Sequence, residues 1–280
     1  MRDDDADGMS SSQWFPTSER RVDPLYPEPG GDPRWEAERG LDWRGPGRRR
    51  GGWPSLRQLI ATGVLSIDAA ALLVLLAGHR ASVLVIAASA RAGKSTLLEA
   101  LLPWYPDGHR RIRLRGSFET FAWEQDPRFR PDQSVLVAEE ISGHLPTYLW
   151  GPGVARFLGW RDRGCALAAT AHGDSLGDIG QLLAGYPLRL PLASLLAFDA
   201  VVRLGPSALD REAGSGYLPV TTVWSATPTD AGGLVPATLL DDAGLHLSAV
   251  GDSLARLRVE TRDVEDDLSA IRRRIDRGTR

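Results

Sequence analysis

The stretch VLVIAASARAGKSTLLEALL, residues 83–102, puts a lysine at the turn between an apolar run and an amphipathic one. Lys94 is the single lysine among 33 basic residues, in a chain that holds no asparagine and uses arginine everywhere else. A lysine kept against that bias marks a position that wants a compact ammonium on a flexible stem, which a planar guanidinium does not supply. The loop Ala88-Ser89-Ala90-Arg91-Ala92-Gly93-Lys94-Ser95, followed by Thr96, compares with the pattern G-x-x-x-x-G-K-[ST]. In that pattern loop N–H groups cradle phosphates, the lysine reaches the terminal ones, and the hydroxyl ligates magnesium. One position departs, because Ala88 stands where the pattern has its first glycine and alanine tolerates fewer backbone conformations. The helix STLLEALL opens at the loop, and its N-terminus favours an anion. Residues 88–96 are the expected phosphate-binding loop, with Ser95 on the metal; the alternative is an ordinary strand-to-helix corner containing Gly-Lys-Ser by chance.

Phosphate chemistry also needs a carboxylate near the metal and a base for water, delivered by the end of another buried strand. The segment VLVAEE supplies Glu139 and Glu140 after four small or apolar residues. Adjacent strand residues point to opposite faces, so only one carboxylate is expected to face the phosphate directly. Glu140 is assigned as the water-activating base, while Glu139 either assists magnesium or sits on the other side; a solvated strand end is the alternative for both. His172 ends a further strand on the same face as Thr170, at the sheet edge where ligands bind in α/β folds. It can sense a terminal phosphate or the attacking water, or be a surface loop histidine. His144 and Cys165 form no compact metal-ligand spacing. On a strand, Arg111, Arg113 and Arg115 would share one face, either as an arginine finger for a neighbouring subunit's nucleotide or as the solvated charges of an edge strand.

Those residues need a scaffold. Ser66 is placed as an N-cap before IDAAALLVLLAG, which Gly78 ends, so two short helices lead into the first strand. Strands are expected at 111–118, 134–140, 165–172 and 198–204, with one or two edge strands in YLPVTTVW. Continuous apolar strands alternating with helices predict a mainly parallel α/β sheet covered on both faces, a three-layer domain over 53–245. Because one strand separates the loop helix from VLVAEE in sequence, it is expected between them in space. That order is shared by the additional-strand catalytic-glutamate P-loop ATPases, which include the RecA-like folds, and argues against nucleotide kinases and GTPases. Residues 1–52 are rich in Pro, Gly, Asp, Arg and Ser, with Trp14, Trp35 and Trp43 scattered among them. This composition predicts a disordered tail, whose tryptophans either anchor a partner or are incidental. Leu247, Val250, Leu254, Leu257, Thr261, Val264, Leu268, Ile271 and Ile275 step by three and four. They predict one long helix over 246–278, within a C-terminal segment 246–280 that either forms an intersubunit coiled coil or packs on the sheet.

A net charge of −3 points to no nucleic-acid platform. The single Cys165 leaves no internal disulfide and fits a reducing compartment. No secretory signal is visible, and the apolar runs are too short to span a bilayer, so a cytoplasmic protein is expected.

Residues 55–205 resemble the ATPase domain of the type II and type IV secretion, or type IV pilus, traffic ATPases. GSFETFAW, with Glu119, occupies the place of that family's acidic box. VAEEIS occupies the place of its Walker B segment, with Glu140 matching the glutamate, and TAHGDS the place of its histidine box, with Thr170, His172 and Ser175. Glu139 replaces the Walker B glycine, Ser142 the following arginine, and no sizeable N-terminal domain is expected. The resemblance implies ATP and Mg2+ as ligands, catalytic roles for Glu119, Glu140 and His172, a hexameric homo-oligomer, and secretion or pilus machinery as partner at the inner membrane face. The other function class is a nucleotide-binding adaptor or switch that works through its tail and coiled coil with little turnover.

Overall fold

The computed structural model describes residues 52–206, 218–230, 233–260 and 263–277. Residues 1–51 of the expected tail, with its three tryptophans, and Thr261 of the heptad series lie outside the described residues. Two helices lead in. In α1 (Leu56–Ala61) Ser55 and Gln58 cap each other's backbone groups, and in α2 (Ile67–Gly78) the Ser66 hydroxyl accepts from the Ala69 N–H. Nine residues of α2 are buried, as expected of a helix that is apolar all round.

Among the described residues eight strands form one sheet: β1 (Val83–Ala87), β2 (Arg110–Arg113), β3 (Ser134–Ile141), β4 (Ala166–His172), β5 (Ala200–Leu204), β6 (Val220–Pro228), β7 (Leu234–Asp241) and β8 (Gly244–Leu245). Their order is β2-β3-β4-β1-β5-β6-β7-β8. The first five are parallel, and β6 to β8 continue as an antiparallel extension. Strand alternation splits the core. Val83, Val85 and Ala87 face one apolar cluster, and Leu84 and Ile86 face the other. The first cluster is covered by α1, α2, α3 (Lys94–Leu101), α6 (Leu247–Arg256) and α7 (Val264–Arg277); the second by α4 (Pro152–Gly159) and α5 (Leu176–Ala184). Helices on both faces of a buried parallel sheet are the predicted layering.

Three expectations need correction. The strand between β1 and β3 is β4, not the arginine-rich segment, which forms the outer edge as β2. That strand stops at Arg113 because the chain turns into helical turns of the 3-10 type at Gly116–Phe118 and Ala122–Gln125, so Arg115 is off it. The C-terminal segment is two helices rather than one. The chain leaves α6 at Leu257 and Arg258, where Arg258 takes a left-handed φ of 59°. Its seam is spent within the chain: Val250, Leu254, Leu268 and Ile275 are buried in the first cluster, and α7 lies along α2. Arg272 ties α7 to Asp68 at the start of α2 at 2.8 Å. The sheet also runs beyond the predicted edge strands, through β7 and β8.

Candidate functional site

The C-terminal ends of β1, β3 and β4 meet the N-terminus of α3. After β1 the chain turns through residues 88–93, where Arg91 has φ 60° and Gly93 has φ 101°. Gly93 takes a conformation that L-residues avoid, and it is the N-cap of α3. Ala88 is not among the left-handed residues, so this loop requires no glycine at that position. No side chain caps α3, whose first N–H groups therefore lie open toward the loop.

Lys94 starts α3 and is only 6% exposed. Its Nζ lies 3.7 Å from Glu140 Oε2, which is likewise buried. Burial holds the Lys94 ammonium below its ordinary value, partly offset by the Glu140 carboxylate. Glu140 Oε1 lies 3.1 Å from His172 Nε2 without an aligned hydrogen bond, which leaves a buried carboxylate oxygen without a hydrogen-bond partner among the described residues. Such an oxygen is costly unless something else uses it. Thr170, on the same face of β4 as His172, donates its hydroxyl to the Glu139 carbonyl.

Both glutamates face α3, contrary to strict alternation. Ala138 pairs with Ala169 and Ile141 with Ala171, so Glu139 and Glu140 together oppose Thr170 in a bulge. Glu140 reaches Lys94 on α3. Glu139 feels Arg113, Glu99 of α3 and Glu140, and burial holds its carboxyl above the ordinary value. Arg113 is itself held by Glu99, with Nη2 2.6 Å from Oε2, and Arg111 donates to the Leu102 and His109 carbonyls at 3.1 and 3.2 Å. These two arginines of the finger candidate thus make structural ties at the sheet edge.

Glu119 is engaged elsewhere. Its carboxylate accepts the Arg115 N–H at 2.9 Å, the Phe121 N–H at 2.6 Å and the Trp123 indole at 3.1 Å, all within its own loop. Burial raises its carboxyl value and those hydrogen bonds lower it. Ser142, at the position of the resemblance's arginine, is buried and accepts the His144 N–H at 3.2 Å.

Two residues that sequence reasoning did not place here come from the loop between β3 and α4. The His144 ring lies 6.2 Å from the His172 ring at 72°. The Tyr148 phenol is pushed up by burial and by the Glu140 and Glu139 charges. His144 follows Glu140 by four residues, a spacing that carries no signal in a loop.

No group of three or more His, Cys, Asp and Glu side chains among the described residues is placed to hold a metal. Magnesium needs no such cage, since one or two protein oxygens, phosphate oxygens and water complete its shell. Ser95 in the first turn of α3 and Glu139 in β3 carry oxygens of that kind.

No family model matches the chain, and no curated protein matches it. Among solved structures it is similar to the VirB11 ATPase from the Brucella Suis type IV secretion system in complex with sulphate, at 17% identity and TM-score 0.39, over 75% of this chain and 64% of that one. It is also similar to the Legionella pneumophila ATPase DotB, at 12% identity and TM-score 0.33, over 81% of this chain and 63% of that one. The chain thus spans less than two thirds of either structure. At such low scores neither similarity bears on activity. Among the described residues no helix is long and apolar enough to cross a membrane.

Proposed function

We propose that this chain binds ATP in the loop 88–96 and hydrolyses it with magnesium. The observation that carries the reading is the meeting of Lys94, Glu140 and His172 at the start of α3, where no side chain caps the helix and one Glu140 oxygen accepts no hydrogen bond among the described residues. β4 lying between β1 and β3 supports the additional-strand, RecA-like arrangement.

Lys94 and the loop N–H groups bind and orient the β- and γ-phosphates, and the lysine leaves Glu140 to do so. Ser95 and Glu139 would hold magnesium, whose chemistry is charge neutralisation at the phosphate oxygens. Glu140 Oε1 accepts a proton from a water whose oxygen bonds to the γ-phosphorus as the bond to the β–γ bridging oxygen breaks. His172, beside that oxygen and 38% exposed, passes the proton outward.

A transport role in secretion or pilus assembly rests on the order of Glu119, Glu140 and His172 in the sequence, together with the hexamer and membrane-face partner it implies. The local engagement of Glu119 favours a second reading, a nucleotide-dependent switch with slow turnover. Steady-state hydrolysis beside equilibrium ATP binding distinguishes them. Binding in the presence of magnesium with turnover abolished by Glu140→Gln supports the enzyme, whereas binding with the same negligible turnover in both proteins supports the switch.

A further inference from the structure

The loop joining β3 to α4, residues 142–151, is pinned at both ends and along its length. The Leu149 N–H donates to the Glu140 carbonyl at 2.8 Å, and the Ser142 N–H donates to the Leu149 carbonyl at 3.2 Å. Gly143 packs on the Trp150 indole so closely that a Cβ there would lie 2.8 Å from Nε1. From the other side, the Ser117 N–H donates to the Pro146 carbonyl at 2.9 Å and its hydroxyl to the Tyr148 carbonyl at 3.1 Å. Gly116, with φ 63°, would place a Cβ 2.3 Å from the Thr147 carbonyl carbon, so backbone meets backbone there. A loop held this firmly presents its side chains in fixed positions.

One of them is His144, whose ring meets the His172 ring edge to face. His172 needs such a restraint. Its ring torsion has a broad energy minimum, its side chain is 38% exposed, and its Nε2 contact with Glu140 is not locked by an aligned hydrogen bond. A rotation of the ring would turn a carbon toward Glu140 Oε1 in place of Nε2. We propose that His144 is a positioning residue, a ring clamp from the β3–α4 loop that keeps His172 Nε2 against the catalytic carboxylate. It acts by packing, so any flat ring of similar size suffices.

The inference takes its catalytic consequence from the ATPase reading, but the clamp itself is testable without it. Selectively 15N-labelled histidine, with the His172 signals assigned by their loss in His172→Gln, reports the ring's environment in the nucleotide-free protein. His144→Ala is expected to shift and broaden those signals, and His144→Phe to leave them sharp. In steady-state hydrolysis His144→Ala is expected to lower kcat about tenfold with KM unchanged, the penalty of a misplaced group, and His144→Phe to recover most of it. His172 signals indifferent to both substitutions would overturn the clamp, and so would a Phe variant as slow as the Ala variant. Signals that respond as expected in a wild type that neither binds nor hydrolyses ATP would uphold the clamp and sink the ATPase reading alone.

Discussion

Glu139 and Glu140 are neighbours in sequence with different surroundings. Glu140 stands between Lys94 and His172 and has one oxygen that accepts no hydrogen bond among the described residues, so Glu140→Gln is expected to keep ATP binding and lower kcat by about 10²–10⁴-fold, the range for a general base. Equilibrium binding and turnover measured on one preparation check this. Burial holds the Glu139 carboxyl above the ordinary glutamate value of 4.5. A carboxyl raised on folding stabilises the folded state below its unfolded value and loses that contribution as pH rises through the folded value. Glu139→Gln, neutral at every pH, is therefore expected to melt higher than wild type at pH 7 and to lose the margin below the ordinary value of 4.5. Paired thermal melts at the two pH values decide it, and a margin that does not change with pH contradicts it. Lys94 was legible as a candidate from its place at a strand-to-helix turn after glycine, and Glu140 and His172 from their places near the ends of apolar strands. His144 and Tyr148 were not, because a loop has no periodicity and its path is set by contacts between residues far apart in the chain, such as Gly116 on Thr147.

At the scale of elements the decisive feature is the bulge in β3. It brings both glutamates to the α3 side, and Thr170 secures it by donating to the Glu139 carbonyl. Thr170→Val keeps the shape and removes that donor. It is expected to cost about 1–3 kcal/mol of stability, because a buried carbonyl loses its partner, and to lower kcat more than it raises KM. Denaturant unfolding with steady-state kinetics tests both parts. Strand alternation in VLVAEE gave no sign of the bulge, since one extra residue shows itself only in the register with β4. The place of β4 between β1 and β3 was hidden for a similar reason. Which strand inserts is a long-range pairing, whereas the existence of each strand is local. β7 escaped prediction because Pro236 interrupts it and Val235 and Pro236, both exposed, blur its alternation.

Across the whole molecule, the C-terminal helices close the face of the sheet that carries α2 and α3. The heptad spacing of residues 247–275 was legible, but it fits an intersubunit seam and an intramolecular one equally well. The break at Leu257 and Arg258 preserves the spacing while changing direction. Leu268 is fully buried against the first core cluster. Leu268→Ala is expected to lose about 2–5 kcal/mol of stability, as for other large-to-small core changes, and to leave the molecular mass in solution unchanged. Light scattering beside thermal unfolding checks this, and a change of mass without loss of stability would restore the coiled coil. If the meeting of α3 with β1, β3 and β4 is an ATPase site, magnesium-dependent phosphate release from ATP by wild type, Lys94→Ala and Glu140→Gln will show it. Release by wild type, loss of both binding and release in Lys94→Ala, and retained binding without release in Glu140→Gln are the expected outcomes. ATP binding by Lys94→Ala as tight as by wild type, or release undiminished in Glu140→Gln, would contradict it.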